Sequence, residues 1–317
     1  MSLCAACRCR SKVSKPSAED IVFKPLVPAD FQPLGAFLQA HPHSLSGYTL
    51  AILASWNPIF HYQWAFPEPS TLLLSYSTDA DNTLHLLQPI GSLTPAIQQA
   101  LLHRGRCQKG GLDMVGVEPG FATTFPDFAA HFNIKPAPEH YNYLYRAEDL
   151  ALLAGRRYAK KRNLIAQAED TYAWSVERLT PGNVADCITL VNEYMTDLKG
   201  PLSASLRNDD FAIRTALHLF DKLPLDGTLI RVDGKTAAFS ICEPQTKDTA
   251  VIHFERALKS YKGIYQVVNK AAAQAIFNRG FTFINREEDM GDPGLRQAKE
   301  SYHPVRLSES VSLTLKR

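Results

Sequence analysis

The sequence is poor in the features that would assign a function at a glance. No stretch approaches the roughly 18 consecutive apolar residues that a membrane-crossing helix needs. The longest apolar runs, such as Leu72 to Leu74, are strand-sized, so a soluble protein is expected. Residues 1–20 carry Arg and Lys but no apolar core like that of a secretory signal, which points to the cytoplasm and to free thiols. Lys and Arg number 34 against 32 Asp and Glu, a formal charge of +2. That is too small to imply a polyanion partner unless a local cluster does so. The histidines at 41, 43, 61, 131, 140, 253 and 303 show no metal-ligand spacing, and the proline between His41 and His43 reads as a turn. There is no G-x-S-x-G elbow and no complete phosphate-binding P-loop, which removes hydrolase and nucleotidase readings.

Cysteine is scarce and unevenly placed. Cys4, Cys7 and Cys9 crowd into the first ten residues, while Cys107, Cys187 and Cys242 are scattered and read as small buried hydrophobes. The C-x-x-C-x-C cluster offers three soft ligands, whereas a structural zinc site normally takes four. Residues 1–20 are therefore read as a disordered tail, and no metal is assigned.

What remains is ordinary globular composition, 45% hydrophobic and 21% charged, in 317 residues. A chain of that length predicts two domains of about 150 residues each. A repeat supports the division. Phe23 to Phe31 parallels Val176 to Val184 in a short strand-like stretch followed by L-x-P-x-[D/N] and an apolar-periodic run. Phe31 to Ala40 and Val184 to Lys199 are expected as helices, with Asp30 and Asn183 near their starts. Thr71 to Ser77 with Thr83 to Pro89, and Thr228 to Val232 with Thr236 to Glu243, read as matching hairpins, the second around Asp233-Gly234. Two patterns also recur in order: R-x-E-D at Arg146 and Arg286, and G-x-R-x-A-K at Gly155 and Gly294. An internal duplication follows as the reading, with the boundary near 170–174, after a helical stretch from Leu150 to Glu169. The domains are 21–172 and 173–317, each mixed α/β with hairpins in its sheet.

The order helix, hairpin, strand, helix, strand resembles a GCN5-related N-acyltransferase, doubled in one chain. Asn285-Arg286-Glu287-Glu288-Asp289-Met290-Gly291, with Gly294 to Lys299 and Tyr302-His303-Pro304, resembles the signature of the phosphatidylglycerol lysyltransferase C-terminal family. Tyr158 to Asn163 resembles that family's basic mid-chain motif. The resemblance covers about 21–317 and implies a tandem acyltransferase-like fold. Membrane-fused members transfer an amino acid from aminoacyl-tRNA to a lipid headgroup, while many soluble members have no known activity.

Candidate chemistry gathers in the C-terminal copy. Glu255, at the end of a β-rich run, is placed to take a proton from an attacking amine or hydroxyl; the competing role is an ion pair with Arg256 or Lys259. Arg286, Glu288 and Asp289 follow a buried-looking strand that ends at Asn285, with Asn285, Arg286 and Glu288 as substrate-binding candidates and Asp289 as a second catalytic candidate. The recurrence at Arg146, Glu148 and Asp149 makes a structural role equally open. Arg296 and Lys299, one helical turn apart, with Lys259 and Tyr302, are candidates for holding an anionic donor. Arg156, Arg157, Lys160, Lys161 and Arg162 crowd one stretch and offer a polyanion foothold, against the alternative of a solvated face.

An ordinary acetyltransferase holds the pyrophosphate of coenzyme A on a Q/R-x-x-G-x-G/A loop. Here Ser260-Tyr261-Lys262-Gly263-Ile264-Tyr265 keeps only the middle glycine, so acyl-coenzyme A is disfavoured and no cofactor is assigned. The expected function is transfer of an acyl group, by preference aminoacyl from aminoacyl-tRNA or another phosphate-bearing donor, to a small-molecule or lipid-headgroup amine or hydroxyl. An acyl-coenzyme A-dependent transferase and a non-catalytic small-ligand binding protein are the alternatives.

Overall fold

The computed structural model describes residues 21–77, 82–198 and 200–317. Cys4, Cys7, Cys9, the rest of the N-terminal tail and most of the Asp79 to Asn82 turn lie outside them. The first half runs β1 (Lys24–Pro25), α1 (Phe31–Ala40), α2 (Leu50–Phe60), β2 (Gln63–Glu68), β3 (Thr71–Tyr76), β4 (Leu84–Leu87), β5 (Ile90–Gly91), α3 (Pro95–Cys107), β6 (Leu112–Val117), α4 (Phe121–Thr124), α5 (Pro126–Ala129) and β7 (Phe132–Pro136). There follow β8 (Asn142–Arg146), α6 (Ala147–Leu152) and α7 (Ala159–Thr171). The second half is β9 (Trp174–Arg178), α8 (Val184–Thr196), α9 (Ala204–His218), β10 (Asp226–Val232), β11 (Lys235–Pro244), β12 (Thr249–Ala257), α10 (Ile264–Asn278), β13 (Phe283–Asn285), α11 (Pro293–Glu300), β14 (Arg306–Ser308) and β15 (Val311–Leu315).

Local chemistry sets several of these boundaries. Thr49, Ser203 and Asp292 each accept a hydrogen bond from the third residue of the helix that follows. Asn183 does not cap α8; its amide oxygen accepts from the Thr180 amide and its nitrogen donates to the Arg178 carbonyl, folding the turn ahead of the helix. Asp233 and Gly234, both with positive φ, make the expected tight β10–β11 turn. The helix expected from Leu150 to Glu169 is broken at Leu153 (φ 48) and Gly155 (φ 84), so the basic cluster begins on a short turn and ends on α7.

Two mixed sheets result. One is ordered β1-β2-β3-β4-β6-β15-β7, with β5 on β3; read from its far end, the other is ordered β9-β10-β11-β12-β13-β8-β14. The two orders match position for position, and in each the fourth and fifth strands are parallel. The duplication is therefore real in three dimensions, but the halves exchange a strand. β8, from the first half, lies between β13 and β14, while β15, the last strand of the chain, lies between β6 and β7. No cut at 172/173 separates the sheets.

Topology also corrects the repeat. β10–β11 corresponds to β2–β3, not to β3–β4, and β13 corresponds to β6. Arg146 ends β8 whereas Arg286 follows β13, so both R-x-E-D stretches lie in the second lobe, on neighbouring strands, and are not counterparts in two copies. The same holds for the two G-x-R-x-A-K stretches, on α7 and α11. These matches are coincidences of short patterns, and the argument that Arg146 shares the role of Arg286 falls with them.

Both sheets are covered on both faces. Leu73 packs with Ile97 and Leu101 of α3, while Leu72 and Leu74 face α1 and α2 alongside Leu34 and Leu53. In the second sheet Ile230 and Ala238 meet α6, α7 and α10, and Leu229, Phe239 and Ile241 meet α8 and α9. Ile52 of α2 belongs to this last cluster and ties the lobes together.

Candidate functional site

β12 and β13 pair for only three residues, Thr249 with Phe283 through Val251 with Asn285. β12 then continues to Ala257 while the chain leaves β13 into a loop at 286–292, opening a notch in the sheet. β12 is also irregular at this point. Cys242 pairs with Ile252 and Ile241 with Phe254, so His253 is the extra residue of a bulge. Bulges re-aim side chains, and this one lets a histidine enter a charged cluster that strand alternation would not have built. The loop opposite is strained, with Glu287 (φ 59) and Met290 (φ 52) both left-handed. It is pinned to β8, since Arg286 N donates to the Tyr143 carbonyl (3.0 Å) and Tyr143 N to the Glu287 carbonyl (3.1 Å).

Glu255 lies inside β12 and is 8% exposed. Its partner is Arg286, at 3.2 Å, not Arg256 or Lys259, and Arg256 pairs instead with Asp209. Burial pushes the Glu255 carboxyl up and Arg286 opposes that shift. Arg286 also lies over the Tyr302 ring at 5.1 Å, a ring that Lys161 approaches to 4.0 Å.

Asp289 is fully buried. Arg296 grips it with two hydrogen bonds of 2.6 and 3.0 Å, and the Tyr143 hydroxyl donates to it at 2.7 Å. Those bonds, Arg296 foremost, hold its carboxyl down to about 2, so near neutrality it is a settled anion and a weak base. Arg296 is correspondingly occupied.

Glu288 is the contrasting carboxylate. Partly exposed, it accepts a hydrogen bond from Asn142 Nδ2 at 3.3 Å and another from its own backbone amide. Desolvation and then the neighbouring charge of Glu287 push it up to about 7, with its own backbone amide, Lys299 and Asn142 opposing.

Lys299 is not the exposed helix cation that its sequence position suggests. It is 9% exposed, and its ammonium donates to the Arg286 carbonyl and, at 3.5 Å, to that of Glu287. Burial and the charge of Arg286 push it down to about 8. Asn285, fully buried, donates to Asn142 Oδ1 and Gln245 Oε1, both at 2.9 Å, and accepts from the Glu287 amide. Lys259 is exposed on the turn after β12, outside this assembly.

Sequence reasoning missed the central bridge. His253 lies between two carboxylates, its Nε2 and Nδ1 each 2.8 Å from an oxygen of Glu243 and Glu287 respectively. Burial alone would lower its pKa, but the hydrogen bonds it donates to both carboxylates outweigh that and hold it up at about 9. It is therefore an imidazolium. Tyr143, Asn142 and Asn269 were also unforeseen; the first two arrive on the exchanged strand β8, and Asn269 of α10 lies against the Glu255 carboxylate. Among the described residues no three His, Cys, Asp or Glu side chains gather as metal ligands.

Most of the basic cluster is spent on structure. Arg157 pairs with Asp149 at 2.8 Å, Arg162 donates to the Leu153 and Gly155 carbonyls, and Lys161 bonds Ser301 Oγ at 2.7 Å. Arg156 and Lys160 stay exposed.

A doubled acyltransferase-like fold with one charged notch defines the class of this protein. The chain belongs to the phosphatidylglycerol lysyltransferase C-terminal family, whose model matches residues 39–311. Among solved structures, a conserved protein of unknown function from Bacteroides thetaiotaomicron VPI-5482 is 28% identical and aligns over 93% of this chain and all of that one, with a TM-score of 0.86. L-PGS from Bacillus licheniformis is 16% identical over 90% of this chain and 91% of that one, with a TM-score of 0.64. The C-terminal domain of a candidate lysylphosphatidylglycerol synthetase from Agrobacterium fabrum is 13% identical over 92% and 93%, also at 0.64. The last two likenesses are of fold. No curated protein shows a significant match. Among the described residues no helix is long and apolar enough to cross a membrane.

Proposed function

We propose that the chain transfers an aminoacyl group from aminoacyl-tRNA to an amine or hydroxyl in the notch of the second lobe, with Glu288 as the proton carrier. Glu288 carries the reading: it is the carboxyl in the notch poised at about 7, partly open to solvent and, unlike Asp289 and Glu255, gripped by no arginine. An acceptor must lose a proton as it attacks the ester carbonyl, and the departing ribose hydroxyl must gain one. A base matched to ambient pH does both. Glu288 takes the acceptor's proton and returns it to the leaving oxygen, so the balance closes without another reagent. Asp289 and Glu255 instead hold Arg296 and Arg286 in place.

Acyl-coenzyme A fits this reading less well. A Cβ on Gly263, at the start of α10, would lie 2.2 Å from the Leu164 carbonyl of α7. The Lys262 amide is already bonded to the Tyr172 hydroxyl at 3.2 Å. Helix α7 thus lies against the turn where backbone amides would otherwise receive a pyrophosphate.

The test uses radiolabelled lysyl-tRNA with phosphatidylglycerol vesicles as one acceptor and a soluble amine as another. Wild-type protein should transfer label to one of them, and Glu288→Gln should lower the rate by roughly 10²–10⁴-fold without a loss of melting temperature. Full activity in Glu288→Gln would sink the role of Glu288. A calorimetric signal with acetyl-coenzyme A and none with lysyl-tRNA would replace the donor.

A further inference from the structure

Outside the notch a cavity of about 320 Å³ lies between the lobes, walled by α1, the start of α2 and the end of β11. We propose that it is a binding site for a small organic ammonium ion with an apolar body. The inference stands apart from the proposed transfer reaction.

The walls are apolar at Phe31, Leu50 and Pro224, and Glu243 is the lone lining residue with a carboxylate, with no Lys or Arg among the lining residues. Its side chain is 3% exposed. Two donors reach it, His253 Nε2 at 2.8 Å and the Ala51 amide at 3.3 Å, and both converge on Oε1. Oε2 has no donor among the described residues. A carboxylate oxygen left without a donor at a cavity wall is an acceptor that a ligand can complete, and a charge-assisted bond is the strongest way to do so.

The charge balance selects the sign. Behind Glu243, the single charge of His253 is shared with Glu287 at the same 2.8 Å distance, so it does not cancel both carboxylates. His43, also in the wall, is pushed down toward its neutral form by burial and supplies no countercharge. An anion would meet an uncompensated carboxylate. An ammonium ion would meet a partner, and its carbon body would cover Phe31 and Leu50. The volume suits one small molecule of this kind and no macromolecular segment.

Three probes of nearly one shape separate the possibilities on the intact protein: 2-phenylethylamine, 2-phenylethanol and 3-phenylpropionate, titrated by calorimetry. The amine should bind, the alcohol about tenfold or more weakly, and the carboxylate not at all. Glu243→Gln should abolish the preference for the amine. Ala36→Trp should abolish binding by filling the mouth from an exposed helix position that leaves Glu243 and its partners untouched. If Glu243→Gln does not fold, the probe series and Ala36→Trp still decide. Equal binding of all three probes, preference for the carboxylate, no binding, or amine binding that survives Ala36→Trp would each overturn the proposal.

Discussion

The two lobes share one strand order and treat the gap after their central parallel pair in opposite ways. In the first, β4 and β6 pair over four residues, Leu84 with Leu112 through Leu87 with Val115, and the neutral side chains of Tyr48 and Gln88 bridge the space beyond. Tyr48, 4% exposed, donates its hydroxyl to the Gly116 carbonyl at 2.6 Å and accepts from the Gln88 amide at 2.6 Å. In the second, β12 and β13 separate after three pairs, and the gap holds Glu255, Arg286, His253, Glu287, Glu288 and Lys299. A tyrosine satisfies backbone groups cheaply; a set of buried charges persists only where every member has a partner. That contrast supports the proposal that the chemistry belongs to the second lobe.

The largest test of the contrast is Arg286→Ala. It leaves Glu255 buried without its counter-ion and frees the Tyr302 ring, so a loss of about 3–5 kcal/mol in urea unfolding is expected. Tyr48→Phe, the matching lesion in the first lobe, removes one neutral hydroxyl and should cost about 1–3 kcal/mol. Equal losses at the two positions would show that the second notch is no more dependent on charge than the first.

His253→Gln sharpens the same comparison through pH. The folded histidine titrates at about 9 against 6.5 for an ordinary one, so its stabilisation is complete below pH 6.5 and is lost as pH rises through 9. Glu288, raised from 4.5 to about 7, also lowers stability as pH rises, but only up to 7. Lys299, lowered from 10.5 to about 8, raises stability above pH 8, because the unfolded chain holds the proton longer. Between pH 7 and 8 the histidine dominates. Wild-type protein should lose about 1 kcal/mol there, and His253→Gln should flatten the slope. Parallel slopes would remove the imidazolium from the account.

How much of this was legible follows from what each residue's surroundings depend on. Helix α1 was readable from Phe31 to Ala40 because apolar spacing is local, and the Asp233-Gly234 turn because its backbone angles belong to those two residues. The clustering of Arg286, Asp289, Arg296 and Lys299 was readable because they lie within fourteen consecutive residues. The base was not. Glu288 differs from Asp289 only through what crosses from other elements, Asn142 on an exchanged strand against Arg296 on the next helix. His253 escaped because a bulge breaks the period of two on which strand reading rests. The exchange of β8 and β15 leaves no mark in either half, since each strand keeps its own pattern and changes only its neighbours.

The smallest expected effect lies outside both notches, on the turn and helix α7 that lead from β8 towards β9. Arg156 and Lys160 are the exposed remainder of the basic cluster, so replacing both with Ala should alter stability by no more than about 0.5 kcal/mol. Arg157→Ala breaks the 2.8 Å pair with Asp149, and because that pair is partly exposed its cost should also be small. The variants differ in what salt does to them. If lysyl-tRNA docks on this face, each lost phosphate contact lowers the slope of log affinity against log salt by about one unit, so the double variant should fall by about two. A slope unchanged in the double variant would move the polyanion contact off this helix while leaving both notches as they are, because neither Arg156 nor Lys160 takes part in them.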